Sequence, residues 1–273
     1  MLGEVRQRQL LDLLMRHKSV RVRDLTAAFG VSEETIRRDL KKLEADGLVR
    51  RTHGGAILLE DVHVVPPPQV RARQNLDAKR RIAERAAALV PERATVMLDN
   101  GSTTLEIARR LADRPVTVVT NDLAIAMELS GSWQAQLIVL GGVQQKGTLT
   151  LVGPECEETI RRYHVDVVFL GAGGISVRQG LTTASSAEGP VKRAMMAAGE
   201  RVYCVADRSK IGRAALVSYA RLDEVDAILT DAPPNVPGGP GGADSAPGGE
   251  GVRDSGDPDV EMLARNGARF LFA

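Results

Sequence analysis

Residues 99–104 read Asp-Asn-Gly-Ser-Thr-Thr, placed directly after the apolar run 95–98 and at the start of a helical pattern over 103–111. Glycine there lets the backbone approach an anion. The first amides of the helix point at that anion, and the hydroxyls of Ser102, Thr103 and Thr104 add further donors. The chemistry is that of a phosphate cradle; the plainer alternative is a turn with a helix cap. Comparable groups close the later apolar runs: Thr120-Asn121, Gly141-Gly142, Gly171-Ala172-Gly173-Gly174, and Gly180-Leu181-Thr182-Thr183 ahead of Glu188 and Lys192. Asp207-Arg208-Ser209-Lys210 completes the set. Glu188 and Lys192 lie four apart and share a helix face, where an exposed ion pair is worth a few tenths of a kcal/mol. With Lys210 they also include the residue types that shuttle a proton between adjacent carbons of a sugar.

A second chemically distinctive group lies near the N-terminus. Ser32, Glu34, Thr35, Arg37, Arg38, Lys41 and Lys42 fall on one helical pattern, followed by Arg50, Arg51 and His53 on a short hairpin pattern. Basic side chains so placed suit base edges and phosphates of a duplex. A solvated charged face is the alternative for the helix alone. The combination with a preceding helix, a tight turn and a basic hairpin favours the duplex reading.

The elements that position these groups follow from periodicity. Val5, Leu10, Leu11, Leu13 and Leu14 give an apolar stripe on a first helix, and Val22, Leu25, Ala28 and Phe29 give one on a second. Gly30 permits the turn, Ser32 stands at an N-cap with Glu33 and Glu34 in the first turn, and Gly47 stops the third helix. Residues 48–51 and 56–59 pair across His53-Gly54-Gly55 as the two-stranded wing of a winged helix. Pro66-Pro67-Pro68, within 61–69, marks a spacer. Beyond it, 77–89 is an amphipathic helix whose Lys79, Arg80 and Arg81 are expected on a solvated face. Strands are then expected at 95–98, 116–120, 136–140, 165–170, 201–205 and 227–230, alternating with helices at 103–111, 123–129, 155–162 and 188–198. Near-continuous apolar strands separated by helices indicate a mainly parallel sheet covered on both faces, with ligands at the carboxyl ends of its strands.

The chain has 273 residues, 36 Lys and Arg, 35 Asp and Glu, and a net charge of +1, which excludes a uniformly basic or acidic protein. The charge is not evenly spread. Residues 1–53 hold 12 basic and 8 acidic side chains, leaving 24 and 27 for the rest, so a basic front precedes a mildly acidic back. No apolar run approaches the roughly 20 residues of a membrane span, and the N-terminus lacks a secretory pattern, so a cytoplasmic location with no membrane contact is expected. Cys156 and Cys204 are far apart and without metal-ligand spacing; two buried small hydrophobes are expected, with no metal and no cofactor. The stretch 233–257 holds 8 Gly and 5 Pro among 25 residues and no aromatic residue, the composition of a disordered insertion.

The pattern Val31-Ser32-x-x-Thr35-Ile36-Arg37-Arg38-Asp39-Leu40, with Leu43-Glu44-x-x-Gly47 and Arg51-Thr52-His53-Gly54-Gly55-Ala56, resembles the DNA-binding domain of the DeoR family of transcriptional regulators. Asp99-x-Gly101-Ser102-Thr103, Thr120-Asn121, Leu140-Gly141-Gly142, Gly153-Pro154, Gly171, Gly180-Leu181-Thr182, Glu188 with Lys192, and Asp207-x-Ser209-Lys210 resemble that family's effector domain. The resemblance implies an α/β protein: a winged helix-turn-helix over 1–60, a linker over 61–76, and a mainly parallel effector and oligomerisation domain over 77–273, related in fold to ribose-phosphate isomerase. It further implies a repressor of a sugar-metabolism operon, with operator DNA, a phosphorylated sugar and further copies of the chain, as dimer or tetramer, as partners. DNA contacts are expected at Ser32, Glu34, Thr35, Arg37, Arg38, Lys41, Lys42, Arg50, Arg51 and His53. Effector contacts are expected at Asp99, Gly101, Ser102, Thr103, Thr104, Thr120, Asn121, Gly141, Gly142, Gly171, Glu188, Lys192 and Lys210. The rival reading, an active sugar-phosphate isomerase bearing a DNA-binding appendage, is disfavoured because 171–176 holds no carboxylate where those enzymes are Asp-rich. A winged helix serving protein contacts is a third reading.

Overall fold

The computed structural model describes residues 6, 7, 9, 10, 13, 14, 17, 19–45, 49–58, 68–231 and 257–273. Gly47, Pro66, Pro67 and the Gly/Pro-rich stretch up to 256 lie outside the described residues. The chain divides into two compact units, Met1–Pro67 and Pro68–Ala273.

In the first unit, helical residues between 6 and 17 precede β1 (Ser19–Arg21), α1 (Val22–Phe29), α2 (Glu33–Ala45), β2 (Val49–Thr52) and β3 (Gly55–Leu58). Leu10, Leu14, Val22, Leu25, Ile36, Leu40, Leu43, Val49 and Ala56 form its core. Ala28, expected on the apolar stripe, is exposed; the stripe of this eight-residue helix runs through Val22 and Leu25 to half-buried Phe29 instead. Gly30 closes α1 in the left-handed conformation, φ 62°, with its amide on the Thr26 carbonyl. Ser32 Oγ accepts the Thr35 amide at 3.3 Å, as an N-cap should. Asp39, on the inner side of α2, is held by Arg6 Nε at 2.6 Å and Gln7 Nε2 at 2.9 Å, so the N-terminal helix is fastened to α2 by charge as well as by leucines.

The wing has three strands where two were expected, in the order β1-β3-β2. Ser19–Arg21 is too short to show strand alternation, and what admits it is Gly55: a Cβ there would stand 1.9 Å from the Val20 carbonyl oxygen.

The second unit opens with α3 (Pro68–Arg73), within the stretch expected as spacer, then α4 (Leu76–Ala88). Its main sheet has seven strands, all paired in parallel, in the order β15-β14-β12-β9-β4-β5-β6. These are β4 (Thr95–Leu98), β5 (Thr117–Thr120), β6 (Gln136–Val139), β9 (Val165–Gly171), β12 (Gly199–Val205), β14 (Ala227–Thr230) and β15 (Phe270–Phe272). Helices α5 (Ser102–Leu111), α6 (Leu123–Leu129), α7 (Pro154–Ile160), α8 (Glu188–Ala198) and α9 (Pro258–Arg265) connect them, and an apolar cluster fills each face of the sheet. A hairpin, β7 (Val143–Gln144) with β8 (Leu151–Val152), and an antiparallel sheet of β10 (Gly174–Ser176), β11 (Gly180–Thr183) and β13 (Val217–Ala220) flank it. Periodicity did not separate these short strands from loops. Cys156 and Cys204 are free and buried, and burial pushes their thiols up to about 11 and about 12. Among the described residues no helix is long and apolar enough to cross a membrane.

Gly55→Ala should destabilise the first unit by about 2 kcal/mol or more, the scale of overpacking against fixed backbone. Gly54→Ala, where nothing lies within 4 Å of the added Cβ, should stay within about 0.5 kcal/mol of wild type. Urea denaturation followed by far-ultraviolet circular dichroism checks both.

Candidate functional site

The chain runs outward from β4 through β5 to β6, then returns to place β9 on the other side of β4 and continues through β12, β14 and β15. The sheet order therefore reverses between β4 and β9, and the crevice beyond their carboxyl ends is the natural ligand position of an open parallel sheet. Asp99 follows β4 and Gly171 ends β9 at that point. Asp99 Oδ2 accepts the Gly171 amide at 2.9 Å and a proton of Lys192 Nζ from α8. Lys192 Nζ also donates to the Gly171 carbonyl at 3.1 Å and lies 5.3 Å from the centre of the Tyr219 ring. The Tyr219 hydroxyl donates to the same carbonyl at 3.0 Å. Asp99, Lys192 and Tyr219 are all buried, and burial raises the Asp99 carboxyl above its ordinary range against the pull of Lys192.

Next to this pair, the N-terminus of α5 faces the crevice. Gly101 at its cap, φ 151°, donates its amide to Asp122 Oδ2 at 3.1 Å. Asp122 Oδ1 in turn caps α6 through the amides of Ala124 and Ile125. Burial raises the Asp122 carboxyl as well. The amides of Ser102, Thr103 and Thr104 belong to the first turn of α5, whose donors have no intrahelical partner. Ser102 is half-buried and Thr103 buried, whereas the Thr104 hydroxyl is taken by the Gly101 carbonyl at 2.9 Å.

Three of the expected effector contacts prove to be framework. The Thr120 hydroxyl is consumed by the Leu98 carbonyl and the Asp122 amide. Gly142, φ 132°, is needed because a Cβ would meet the Val152 carbonyl oxygen at 2.7 Å. Gly171 serves through its backbone, as described. Gly141 has open space around it. Asn121 donates Nδ2 to the Leu151 carbonyl at 2.9 Å, and Glu188 is held by the Thr183 hydroxyl and, at 3.1 Å, by Gln145 Nε2.

What the crevice leaves unpaired is informative. Among the described residues, the buried side-chain atoms without a partner are Asp99 Oδ1, Asn100 Oδ1, Asn121 Oδ1, Arg71 Nε and Thr230 Oγ1. The first three follow strands β4 and β5 at the crevice, and burial lowers the Arg71 guanidinium against the opposing charges of Glu188, Asp122 and Asp99. Buried polar atoms cost about 1–3 kcal/mol when unsatisfied, so their concentration at one strand-end crevice makes it the candidate site for a polar ligand.

Arg71, Asp122 and Tyr219 were missed by sequence reasoning, since none sits in a motif with a readable spacing; Asn100 lies inside the 99–104 motif but was not singled out as a contact. Lys79 was misjudged. Expected on a solvated face, it is buried, and its Nζ donates to the carbonyls of Arg71 and Gln74, 2.5 Å each, tying α4 to the end of α3. Periodicity places it beside Ala83 and Ala86 on the inner face of α4, and the long stem lets the charge reach the carbonyls there. Arg80 and Arg81 are exposed as expected. Burial lowers the Lys79 ammonium to about 8, offset in part by Asp207. Lys210, half-buried, is lowered by the same cause, with Asp207 opposing and Arg71 and Arg213 reinforcing. Asp207 is buried and accepts Asn75 Nδ2 at 2.8 Å and Ser209 Oγ at 2.5 Å.

In the first unit, α2 presents Glu33, Glu34, Arg37, Arg38, Lys41 and Lys42 on its exposed side, with Ser32 exposed at its start and Thr35 half-buried. Arg37 pairs with Glu33 at 3.3 Å and Arg38 with Glu34 at 3.8 Å, exposed pairs that a duplex can displace at little cost. The Ser32 and Thr35 hydroxyls bond each other at 3.0 Å. Arg50 and His53 are exposed on the wing. Arg51 is bound to Glu44, side chain at 2.6 Å and amide at 2.9 Å, so it holds the wing to α2.

Among the described residues no three His, Cys, Asp or Glu side chains gather as a metal site requires. Family models match most of the chain: a DeoR-like helix-turn-helix domain over residues 6–62 and a DeoR C terminal sensor domain over 74–232. The HTH-type transcriptional regulator GlpR of Haloferax volcanii is 37% identical over 232 residues, spanning 85% of this chain and 91% of that protein. The transcriptional repressor AccR of Agrobacterium fabrum is 38% identical over 228 residues, 83% and 88% of the two chains. The HTH-type transcriptional repressor GlcR of Bacillus subtilis is 34% identical over 235 residues, 86% and 91%. Among solved structures, ribose 5-phosphate isomerase A of Methanocaldococcus jannaschii superposes with a TM-score of 0.37 at 19% identity, covering 50% of this chain and 55% of that one.

Replacing one member of the buried pair, Lys192→Met, should cost about 3–5 kcal/mol in urea denaturation, because Asp99 is left charged and unpaired. The double variant Asp99→Asn with Lys192→Met should recover part of that loss. For Lys79, the folded value near 8 lies below the ordinary 10.5, so between those values the unfolded chain holds more protons than the folded one. The advantage of wild type over Lys79→Met should therefore grow as pH rises through that window, by at most about 1.4 kcal/mol per pH unit. A constant difference across the window would remove the assignment of a buried charge.

Proposed function

The chain belongs to the DeoR family of helix-turn-helix transcriptional regulators, and from that membership we propose that it represses a sugar-metabolism operon and is controlled by a phosphorylated sugar held at the β4/β9 crevice. The observation that carries the ligand class is the meeting of an unpaired helix N-terminus with unpaired buried polar atoms at a topological switch point. The amides and hydroxyls of Ser102 and Thr103, with Lys210 and Arg71, suit a phosphate; Asp99 Oδ1, Asn121 Oδ1 and Asn100 Oδ1 suit sugar hydroxyls. The relatives named as repressors support the direction of control.

Binding without turnover is the reading the side chains favour. A proton shuttle needs a carboxylate free to approach the substrate. Glu188 is held by Thr183 and Gln145, Asp99 by Lys192 and Gly171, and 171–176 contains no carboxylate.

For DNA, α2 enters the major groove, with Thr35, Arg37 and Arg38 toward base edges and Lys41, Lys42, Arg50 and His53 toward phosphates. One winged helix buries too little surface for tight specific binding, so at least two copies on repeated half-sites are required. The carbonyl of Arg71 is clamped by Lys79 while the charges of Glu188, Asp122 and Asp99 act on its guanidinium. A ligand that draws on Arg71 thereby acts on α3, the segment that directly follows the DNA-binding unit in sequence.

A thermal-shift screen with inorganic phosphate and a panel of aldose and ketose monophosphates tests the ligand class. A binder at a hundred times its Kd adds about 2.7 kcal/mol, and no shift with any of them sinks it. Ser102→Ala with Lys210→Ala should abolish the effect of that ligand on operator binding and leave operator binding itself intact. On the DNA side, Arg38→Ala should relax base preference, whereas Lys42→Ala should weaken all sequences alike and reduce the salt slope by about one. Equal, sequence-independent losses from both would overturn the division of roles.

A further inference from the structure

Strand β6 ends the seven-stranded sheet, and among the described residues nothing pairs with its outer side. The amides of Gln136 and Leu140 donate inward, to the carbonyls of Val116 and Thr120. In a parallel ladder the intervening residues turn both backbone groups the other way, so Leu137 and Val139 present an amide and a carbonyl each to the open edge. A bare edge is a template for another strand, and proteins that stay monomeric guard it with lysines, prolines or bulges. Here the guard is missing: residues 129–145 contain no charged side chain and no proline, in a chain that is 26% charged.

In or beside the same segment lie most of the large apolar side chains exposed among the described residues. Of the six large hydrophobic residues exposed among those described, Met127, Trp133, Val139 and Val143 lie within it or two residues before it, and Trp133 is fully exposed. An exposed apolar patch beside an unprotected sheet edge marks an interaction surface.

We propose that the β6 edge is where a second copy of this chain docks, its β6 pairing antiparallel about a two-fold axis through Ile138. That register sets Leu137 opposite Val139 of the other copy, and Val139 opposite its Leu137. It satisfies all the outward amides and carbonyls of both residues and makes one continuous sheet of the two copies. The occupant follows from the edge itself. Two-fold pairing brings each residue near its own kind, so a charged edge would repel its twin, whereas a neutral one does not. The choice of a second copy also rests on the proposed repressor reading, which needs two DNA-binding units per operator.

The full-length protein tests this without DNA, by sedimentation velocity over a dilution series and by emission of Trp133, the one tryptophan of the chain. Val139→Lys puts a charge on the edge at a side chain already 44% exposed, and Val139→Pro deletes an amide that no bond inside the protein uses. Leu216→Lys, at another exposed apolar position, is the control, and far-ultraviolet circular dichroism establishes that each variant is folded. Wild type should sediment as a dimer or a multiple of one. Both Val139 variants should halve its mass at concentrations where wild type stays associated and red-shift the Trp133 emission, and Leu216→Lys should do neither. A wild type that is monomeric throughout, or Val139 variants that keep wild-type mass and emission, would overturn the proposal. Binding of wild type to an operator fragment is measured separately. Its presence with unchanged Val139 variants sinks the edge alone; its absence sinks the repressor reading, while the mass data still decide the edge.

Discussion

A lysine ammonium buried at the reversal point of a parallel sheet requires each of its protons to be received, and the second unit is organised around that requirement. Lys192 finds a carboxylate in Asp99, a carbonyl in Gly171 and the face of Tyr219. Taking two charges out of water costs several kcal/mol per ion even after relaxation, so the pair is not there for stability. It links the carboxyl ends of strands β4 and β9 and leaves Asp99 Oδ1 buried without a partner. If the proposed ligand binds there, a pair that holds its own geometry while one acceptor stays open would lower the ordering cost of binding a hydroxyl.

Around that pair the charges are balanced locally. Arg71, Lys79 and Lys210 meet Asp122, Glu188 and Asp207 at the same end of the sheet. Burial lowers all three cations and raises Asp99 and Asp122. A phosphate would offset the lowering at Arg71 and Lys210. On the proposed reading, a domain with a small excess of acidic residues would take an anion through the local field of a few oriented cations and helix amides, not through net charge. Lys79 does a different task. Its donors go to the backbone at the end of α3, which makes the position of that helix depend on the same charged cluster that would sense the ligand.

How much of this was legible in the sequence depends on the range of the interaction. The parallel strands and their helices were readable within a residue or two, because buried strands are apolar runs and helices keep their period. The grouping of Asp99, Ser102, Thr103, Glu188 and Lys192 near the carboxyl ends of strands was readable because polar residues there follow or precede recognisable apolar runs. What was not readable is who pairs with whom. Glu188 and Lys192 share a helix face four residues apart, yet Lys192 goes to Asp99 and Glu188 to Thr183 and Gln145. Arg71 had no local signature, since its meaning lies in acids brought to it by β4, β5 and α8. The basic run of Lys79, Arg80 and Arg81 looked uniform, and only the packing of α4 selected one of the three for burial. Arg51 shows the same limit in the first unit: its type and place suited a phosphate, but Glu44 holds it.

The net charge of +1 averages surfaces with opposite demands. The exposed side of α2 bears four basic residues, and its association with a polyanion should be long-ranged and weakened by salt. The β6 edge bears no charge over seventeen residues, and its association must be short-ranged and tolerant of salt, resting on backbone hydrogen bonds and apolar area. The difference is useful to a protein that must let go of DNA without falling apart. If both contacts were electrostatic, the conditions that loosen one would loosen the other. With one neutral and one charged, release from the duplex would be decided at α2 and the wing, while copies paired as proposed at β6 would stay joined through a surface that salt and a small anion leave alone.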